Sequence, residues 1–161
     1  MGHFNSNCDC QIIQSIPNAV GVAANTVDLR RNESTPPYWN GNVYFSGTND
    51  SVKRFVLNLL TSKLTTTPAD KSVDVFGFPG SEPVVSANKN GSGILSAVEK
   101  RSTASILHAY DATNLSHEFY NSNQNAARDA LGISMKFAPA LVINGKVYVG
   151  THTSLVVYGN F

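Results

Sequence analysis

The chain has 161 residues, 14% of them charged, and 12 Lys+Arg against 11 Asp+Glu leave a formal net charge of +1. That balance excludes the basic footprint of a nucleic-acid binder and a polybasic membrane-surface patch, and the low charge argues against a self-repelling disordered tail. The 42% of apolar residues suffice to fill one domain core, and no apolar run approaches the ~18 residues of a membrane span. Seventeen Asn, 17 Ser and 11 Thr favour turns and half-exposed strands over helix interiors.

Residues 1–8 are polar and have neither the basic region nor the apolar stretch of a secretory signal. Cys8 and Cys10 are separated only by Asp9, too close for an unstrained disulfide. With His3 they could hold a soft metal. A structural zinc site needs a fourth ligand, however, and no second cluster accompanies them, so they read as two unpaired thiols in a loop. Arg30-Arg31 is too short for a basic patch.

Three later segments share one layout: a proline, a short apolar strand, a Gly-containing turn, and further strands. They start at Pro37, Pro83 and Pro139, 46 and 56 residues apart. The first carries Asn40-Gly41-Asn42-Val43-Tyr44 and closes on Gly47-Thr48; the third carries Asn144-Gly145-Lys146-Val147-Tyr148 and closes on Gly150-Thr151. Asn-Gly between apolar runs predicts a two-residue hairpin, because both central residues of a type I′ turn need positive φ. A second turn in each copy, at Asn49-Asp50 and His152-Thr153, leads into Val52-Lys53-Arg54-Phe55 and Leu155-Val156-Val157-Tyr158.

The middle copy runs through Pro83-Val84-Val85-Ser86-Ala87, a Gly91/Gly93 turn, Ile94-Leu95-Ser96-Ala97-Val98 and Ile106-Leu107-His108-Ala109-Tyr110. After a turn at Thr113-Asn114 comes a fourth strand, His117-Glu118-Phe119-Tyr120. Between the second and third copies, residues 124–131 predict the one helix, ended by Gly132 as a C-cap. Four antiparallel strands in about 40 residues is the unit of a β-propeller blade. A β-sandwich also shows short, regularly spaced strands, but it does not require one motif to recur at the same place in each unit.

The fold expected is therefore all-β: a β-propeller fragment of about three four-stranded antiparallel blades, the first and last incomplete, with one short helix in an inter-blade insertion. Residues 1–34 read as the end of a preceding blade plus linker, 35–82 and 83–122 as blades, 123–138 as the insertion and 139–161 as the incomplete last blade. All belong to one propeller domain.

Val147-Tyr148-Val149-Gly150-Thr151 followed by Leu155-Val156-Val157-Tyr158 resembles the repeat of the pyrroloquinoline-quinone-like propellers. Ala109-Tyr110-Asp111-Ala112-Thr113-Asn114 resembles the Ala-x-Asp-Ala-x-Thr-Gly turn of that repeat, with Asn114 where Gly is usual. Over nearly its full length the chain is similar to the C-terminal half of large secreted bacterial propeller proteins. The resemblance implies an extracellular or periplasmic protein whose first residues are an internal segment. It also implies that the rest of the propeller, or a second copy of the chain, covers the open edges. Quinoprotein dehydrogenases of this fold would call for bound calcium, an aspartate base, an arginine near the quinone, a Trp on its ring and a disulfide between adjacent cysteines. Here Trp39 is the one Trp and reads as blade packing, Cys8 and Cys10 are not adjacent, and no acidic pair stands beside an arginine at calcium-loop spacing.

Asn123, Gln124, Arg128, Asp129 and Lys136 are the candidate ligand-binding residues. Amides, cations and an acid beside Tyr120 on a long inter-blade loop could hydrogen-bond a carbohydrate or a protein. The competing reading has Arg128 and Asp129 capping the helix and pairing with neighbouring loops. His108, His117 and His152 lack a nucleophile and an acid in a recognisable arrangement and read as packed or exposed strand residues. Four Asn-x-Ser sequons stand at Asn32, Asn49, Asn90 and Asn114. The expected function is a non-catalytic scaffold or binding module with no cofactor and no metal; the alternative is a fragment of a quinone- and calcium-dependent dehydrogenase.

Overall fold

The computed structural model describes residues 12–20 and 32–159; His3, Cys8, Cys10 and Arg30-Arg31 lie outside them. The chain is all-β, with 45% strand and 3% helix, in three antiparallel sheets. The first sheet holds β1 (Tyr38–Trp39), β2 (Asn42–Ser46), β3 (Val52–Asn58), β4 (Lys63–Leu64) and β5 (Asp70–Lys71). The second holds β6 (Val84–Asn88), β7 (Gly91–Glu99), β8 (Ile106–Asp111) and β9 (Asn114–Asn121), and the third β10 (Leu141–Ile143), β11 (Lys146–Gly150) and β12 (Leu155–Tyr158). A single helical turn, α1 (Ala126–Asp129), precedes the third sheet.

The two Asn-Gly hairpins form as their sequence predicts. Asn40 and Gly41 have φ of +45° and +76°, and Asn144 and Gly145 have +51° and +69°. Trp39 pairs with Asn42 across the first turn and Ile143 with Lys146 across the second. Both turns therefore join strands with no slack, which sets the register of each meander.

Other expectations are corrected. The first sheet is not incomplete, because β4 pairs with the far end of β3 and β5 with its near end, so the two share the fourth strand position. Lys63-Leu64 and Asp70-Lys71 are too short and too polar to announce themselves as strands. The turn of the middle copy lies at Lys89-Asn90, with Asn88 opposite Gly91, so Gly91 and Gly93 belong to β7. Gly93 is buried beneath the Trp39 indole, and a Cβ there would stand 2.5 Å from that ring. The expected helix over 124–131 shrinks to four residues with Ala130 as its C-cap. Gly132 keeps a positive φ of +76° but uses it to turn its carbonyl toward Ser105 N–H, 2.7 Å away.

The middle sheet lies between the other two. Leu95, Ala97 and Tyr110 share one face, on which Tyr44 and Val52 of the first sheet pack with Phe76, Ala112, Leu115 and Trp39. Val98 and Leu107 share the opposite face, against Val149, Val147, Val156 and Tyr158 of the third sheet with Leu131 and Ala140. Hydrogen bonds cross the first seam. Buried Tyr44 Oη donates to the carbonyl of Ala112 at 2.7 Å. Asp70 Oδ1 accepts from Leu115 N–H at 3.1 Å, while its other oxygen takes Arg54. The Trp39 Nε1–H donates to the Lys89 carbonyl at 2.9 Å.

Two stability predictions follow from the first seam. Gly93→Ala forces a methyl into the Trp39 ring, and overpacking of this kind costs about 1–3 kcal/mol. A urea titration followed by Trp39 fluorescence should show the midpoint fall, and an unchanged midpoint refutes the contact. Burial pushes the Tyr44 hydroxyl up to about 12, with Arg54 opposing and Asp70 and Asp111 adding to the rise. The unfolded chain then loses this proton near pH 10 while the folded chain keeps it. The stability from Tyr44 is complete below pH 10 and is lost as pH rises toward 12. Tyr44→Phe should lower stability at neutral pH and flatten its decline between pH 10 and 12, both read from denaturant midpoints against pH.

Candidate functional site

Residues 122–140 connect the second sheet to the third, and the five insertion residues fall into three groups there: Asn123 with Gln124, Arg128 with Asp129, and Lys136. Asn123, Gln124, Arg128 and Lys136 are exposed. The Asn123 N–H donates to Asn121 Oδ1 and the Gln124 N–H to the Asn121 carbonyl, which closes the turn after β9. Arg128 grips Asp129 with two hydrogen bonds of 2.6 and 2.8 Å. Tyr120 Oη donates to Asp129 Oδ2 at 2.7 Å, and Tyr158 Oη donates to the Asp129 carbonyl at 2.9 Å. Lys136 belongs to a different contact: its Nζ stands 5.0 Å from the Phe78 ring centroid, and that ring meets Phe137 edge-on.

The hydrogen bonds from Arg128, then Tyr120, bring the Asp129 carboxyl down to about 2. Burial, then the bond to Asp129, raises the Tyr120 hydroxyl well above the usual tyrosine range. Asp129 thus joins β9 to β12 through two tyrosines while Arg128 screens it from solvent. The competing expectation, a pair that caps the helix and binds neighbouring loops, differs from this: Asn125 and Ala130 are the caps, with no side-chain cap hydrogen bond, and Asp129 binds strand tyrosines.

A second assembly forms on the face of the middle sheet turned toward the first. Its members share that face by register: Ala97 stands opposite His108, Glu99 opposite Ile106, and Tyr110 opposite Glu118. Asp74 reaches it from the segment after β5. His108 is 2% exposed. Its Nδ1 lies 2.6 Å from Glu118 Oε1 and 3.9 Å from Asp74 Oδ2, and its Nε2 lies 3.5 Å from Glu99 Oε2. The imidazole stacks beside the Tyr110 ring at 5.7 Å and takes Phe76 edge-on at 5.5 Å. Tyr110 Oη donates to Asp74 Oδ2 at 2.7 Å, and Asn121 Nδ2 donates to Glu118 Oε2 at 2.8 Å. Burial, then the bond to Asp74, drives the Tyr110 hydroxyl far above its ordinary range. Arg101 clasps Glu99 with two bonds of 2.8 Å, the one close cation partner of these carboxylates among the described residues. Asp74, His108 and Glu118 can converge on one cation, their ligand atoms lying within 4.8 Å of one another.

The sequence reads His108 as a packed or exposed strand residue and does not point to this assembly. Packed it is, but with three carboxylates around it. The available signal was alternation: Glu99 continues the Leu95, Ala97 face of β7, and His108 interrupts the Ile106, Tyr110 face of β8, so two titratable groups fall where apolar ones belong. Asp74 arrives from a loop, and the irregular β8–β9 register hides Glu118.

No protein-family model, curated protein or solved structure matches the chain.

The Asp129 tie is testable by removing its carboxylate. Asp129→Ala should move the titration of one tyrosine, followed by phenolate absorbance, toward the ordinary value near 10. A curve identical to that of the unsubstituted chain contradicts the Tyr120–Asp129 bond.

Proposed function

We propose that the chain is a non-catalytic scaffold and binding module, its three sheets being successive blades of a β-propeller in an exported bacterial protein. The observation that carries this reading is the order of packing. Each sheet is a meander in chain order, each packs face to face on the next, and the middle one is covered on both faces, as a blade is. The repeated Asn-Gly hairpins fall at the same place in the first and third sheets, as repeat units require.

The outer face of the third sheet supports the same reading. Leu141, Ile143, Leu155 and Val157 share that face by register and are exposed. In this reading the next blade, or a second copy of the chain, lies there. On the outer face of the first sheet, Ile16 and Ala19 line a pocket together with Phe45, Phe55 and Leu64. Trp39, which a quinone-binding dehydrogenase would place on its cofactor, is committed here to Gly93 and the Lys89 carbonyl.

The ligand of such a module meets its connecting loops. Asn123, Gln124 and Arg128 then offer amide and guanidinium donors to a carbohydrate or protein partner. Panels of oligosaccharides and peptides should yield binding that Asn123→Ala and Arg128→Ala each weaken about tenfold, a loss of roughly one charge-assisted hydrogen bond. The thermal midpoint should be unchanged in Asn123→Ala. Binding indifferent to both substitutions refutes this placement of the ligand. Oxidation of alcohols or sugars in the presence of added quinone and calcium favours the dehydrogenase instead.

A further inference from the structure

We propose that Asp74, His108 and Glu118 form a divalent-metal site suited to zinc, which clasps the segment after β5 onto the middle sheet. This inference is independent of the propeller reading, and departs from the expectation that the chain holds no metal.

The starting observation is a buried polar atom in the first seam with no hydrogen-bond partner. Among the described residues His108 Nε2 is buried and makes no hydrogen bond, although Glu99 Oε2 lies 3.5 Å away. In a neutral imidazole, a proton on Nδ1 serves Glu118 and leaves Nε2 as a bare acceptor facing a carboxylate. A proton on Nε2 serves Glu99 and sets the Nδ1 lone pair against two carboxylates. Neither tautomer satisfies both ends of the ring, and a buried polar group left unsatisfied is costly. A cation at Nδ1 resolves both ends, because the lone pair and the two carboxylates then share it while Nε2–H turns to Glu99.

Each of the three ligands already has the outer partner that metal ligands ordinarily carry. Glu99 faces the far nitrogen of His108, Tyr110 Oη donates to Asp74, and the Asn121 amide donates to Glu118. A carboxylate on the second imidazole nitrogen and hydrogen bonds on the ligating carboxylates orient the ligands and raise their basicity.

The distances suit a small ion. Ligand atoms about 2.0–2.1 Å from a tetrahedral zinc stand roughly 3.3 Å from one another. The Nδ1 distances to Glu118 and Asp74, 2.6 and 3.9 Å, bracket that value, so small side-chain shifts of opposite sense close the site. Imidazole nitrogen selects zinc over magnesium and calcium, which take all-oxygen sets. The Asp74 and Glu118 side chains are 39% and 25% exposed, which leaves a path for the ion and room for water as a fourth ligand.

Isothermal titration with zinc chloride tests the site. Cys8→Ser/Cys10→Ser serves as the background so that thiol binding does not contribute. One zinc per chain is expected, with a rise in thermal midpoint as ligand linkage requires. Asp74→Asn and Glu118→Gln change partly exposed groups and should keep the metal-free midpoint close to that of the background while weakening zinc at least tenfold. Glu99→Gln alters the positioning contact and should weaken zinc about 10–100-fold. Absence of zinc binding, equal affinity in Asp74→Asn and Glu118→Gln, or preference for calcium or magnesium overturns the proposal.

Discussion

β7 and β8 carry apolar side chains on both of their faces, so the sheet they anchor has to be covered twice. Leu95 and Tyr110 project to one side and Val98 and Leu107 to the other, all nearly inaccessible. Burying such side chains is worth about 1.5–3 kcal/mol each relative to exposure, against about 0.5–1.5 kcal/mol net for a typical neutral hydrogen bond. The first and third sheets are needed for this reason, and their inner faces are built to match. Tyr44, Phe76 and Trp39 are the bulky members on one side, set against the small Ala97, Ala112 and Gly93. On the other, valines from β11 and β12 meet Leu131 and Ala140. The connection between the second and third sheets is longer than a turn because it must deliver Leu131 into that second seam.

Close packing of sheets leaves loop backbone groups inside, and serine satisfies many of them. Ser81 N–H donates to Ser46 Oγ while Ser81 Oγ accepts from Val98 N–H, which carries a chain of hydrogen bonds from β2 to β7. Ser134 donates from both its N–H and its hydroxyl to Ser105 Oγ, and Ser122 Oγ accepts from Leu107 N–H. These are small groups that complete hydrogen bonds without adding bulk. Ion pairs add register more than stability. Lys100 meets Glu82 in a nearly closed site, where burial lowers the lysine to about 8, and a pair so desolvated recovers little net energy. What Lys100–Glu82 and Arg54–Asp70 contribute is placement, since each cation has one carboxylate within reach where its loop or strand must end.

Local chemistry was legible in the sequence, and long-range chemistry was not. Asn40-Gly41 and Asn144-Gly145 announce their turns because the required positive φ belongs to those two residues alone. The strands they join follow from period-2 alternation. Gly93 reads as a turn residue because a glycine in a turn and a glycine beneath an indole look the same in sequence; only Trp39, 54 positions earlier, distinguishes them. Residues 124–131 have the composition of a helix, yet four residues is all that survives, because so short a segment has little helical stability of its own and Leu131 is drawn into the second seam. Serine content likewise predicts turns and half-exposed strands, whereas Ser46, Ser81, Ser105, Ser122 and Ser134 are buried. The assembly around His108 draws on three strands and a loop, and its carboxylates lie 9, 10 and 34 positions from the histidine, beyond any local motif.

The two polar assemblies of the molecule differ in what a ligand would have to displace. Arg128, Asp129 and Tyr120 satisfy one another, and Arg128 is 72% exposed, so a partner recruiting that guanidinium exchanges one solvent-screened bond for another and gains modestly. His108 is 3% exposed at its side chain and has one nitrogen without a donor or acceptor. There an ion would lie between the imidazole and two carboxylates, at a side chain closed to solvent, where each contact counts for more. In the two proposals made above, an ion belongs with His108, whereas a larger partner belongs with the exposed Asn123, Gln124 and Arg128. The two proposed sites lie apart, since the first seam faces one side of the middle sheet and Leu131 of the insertion packs on the other.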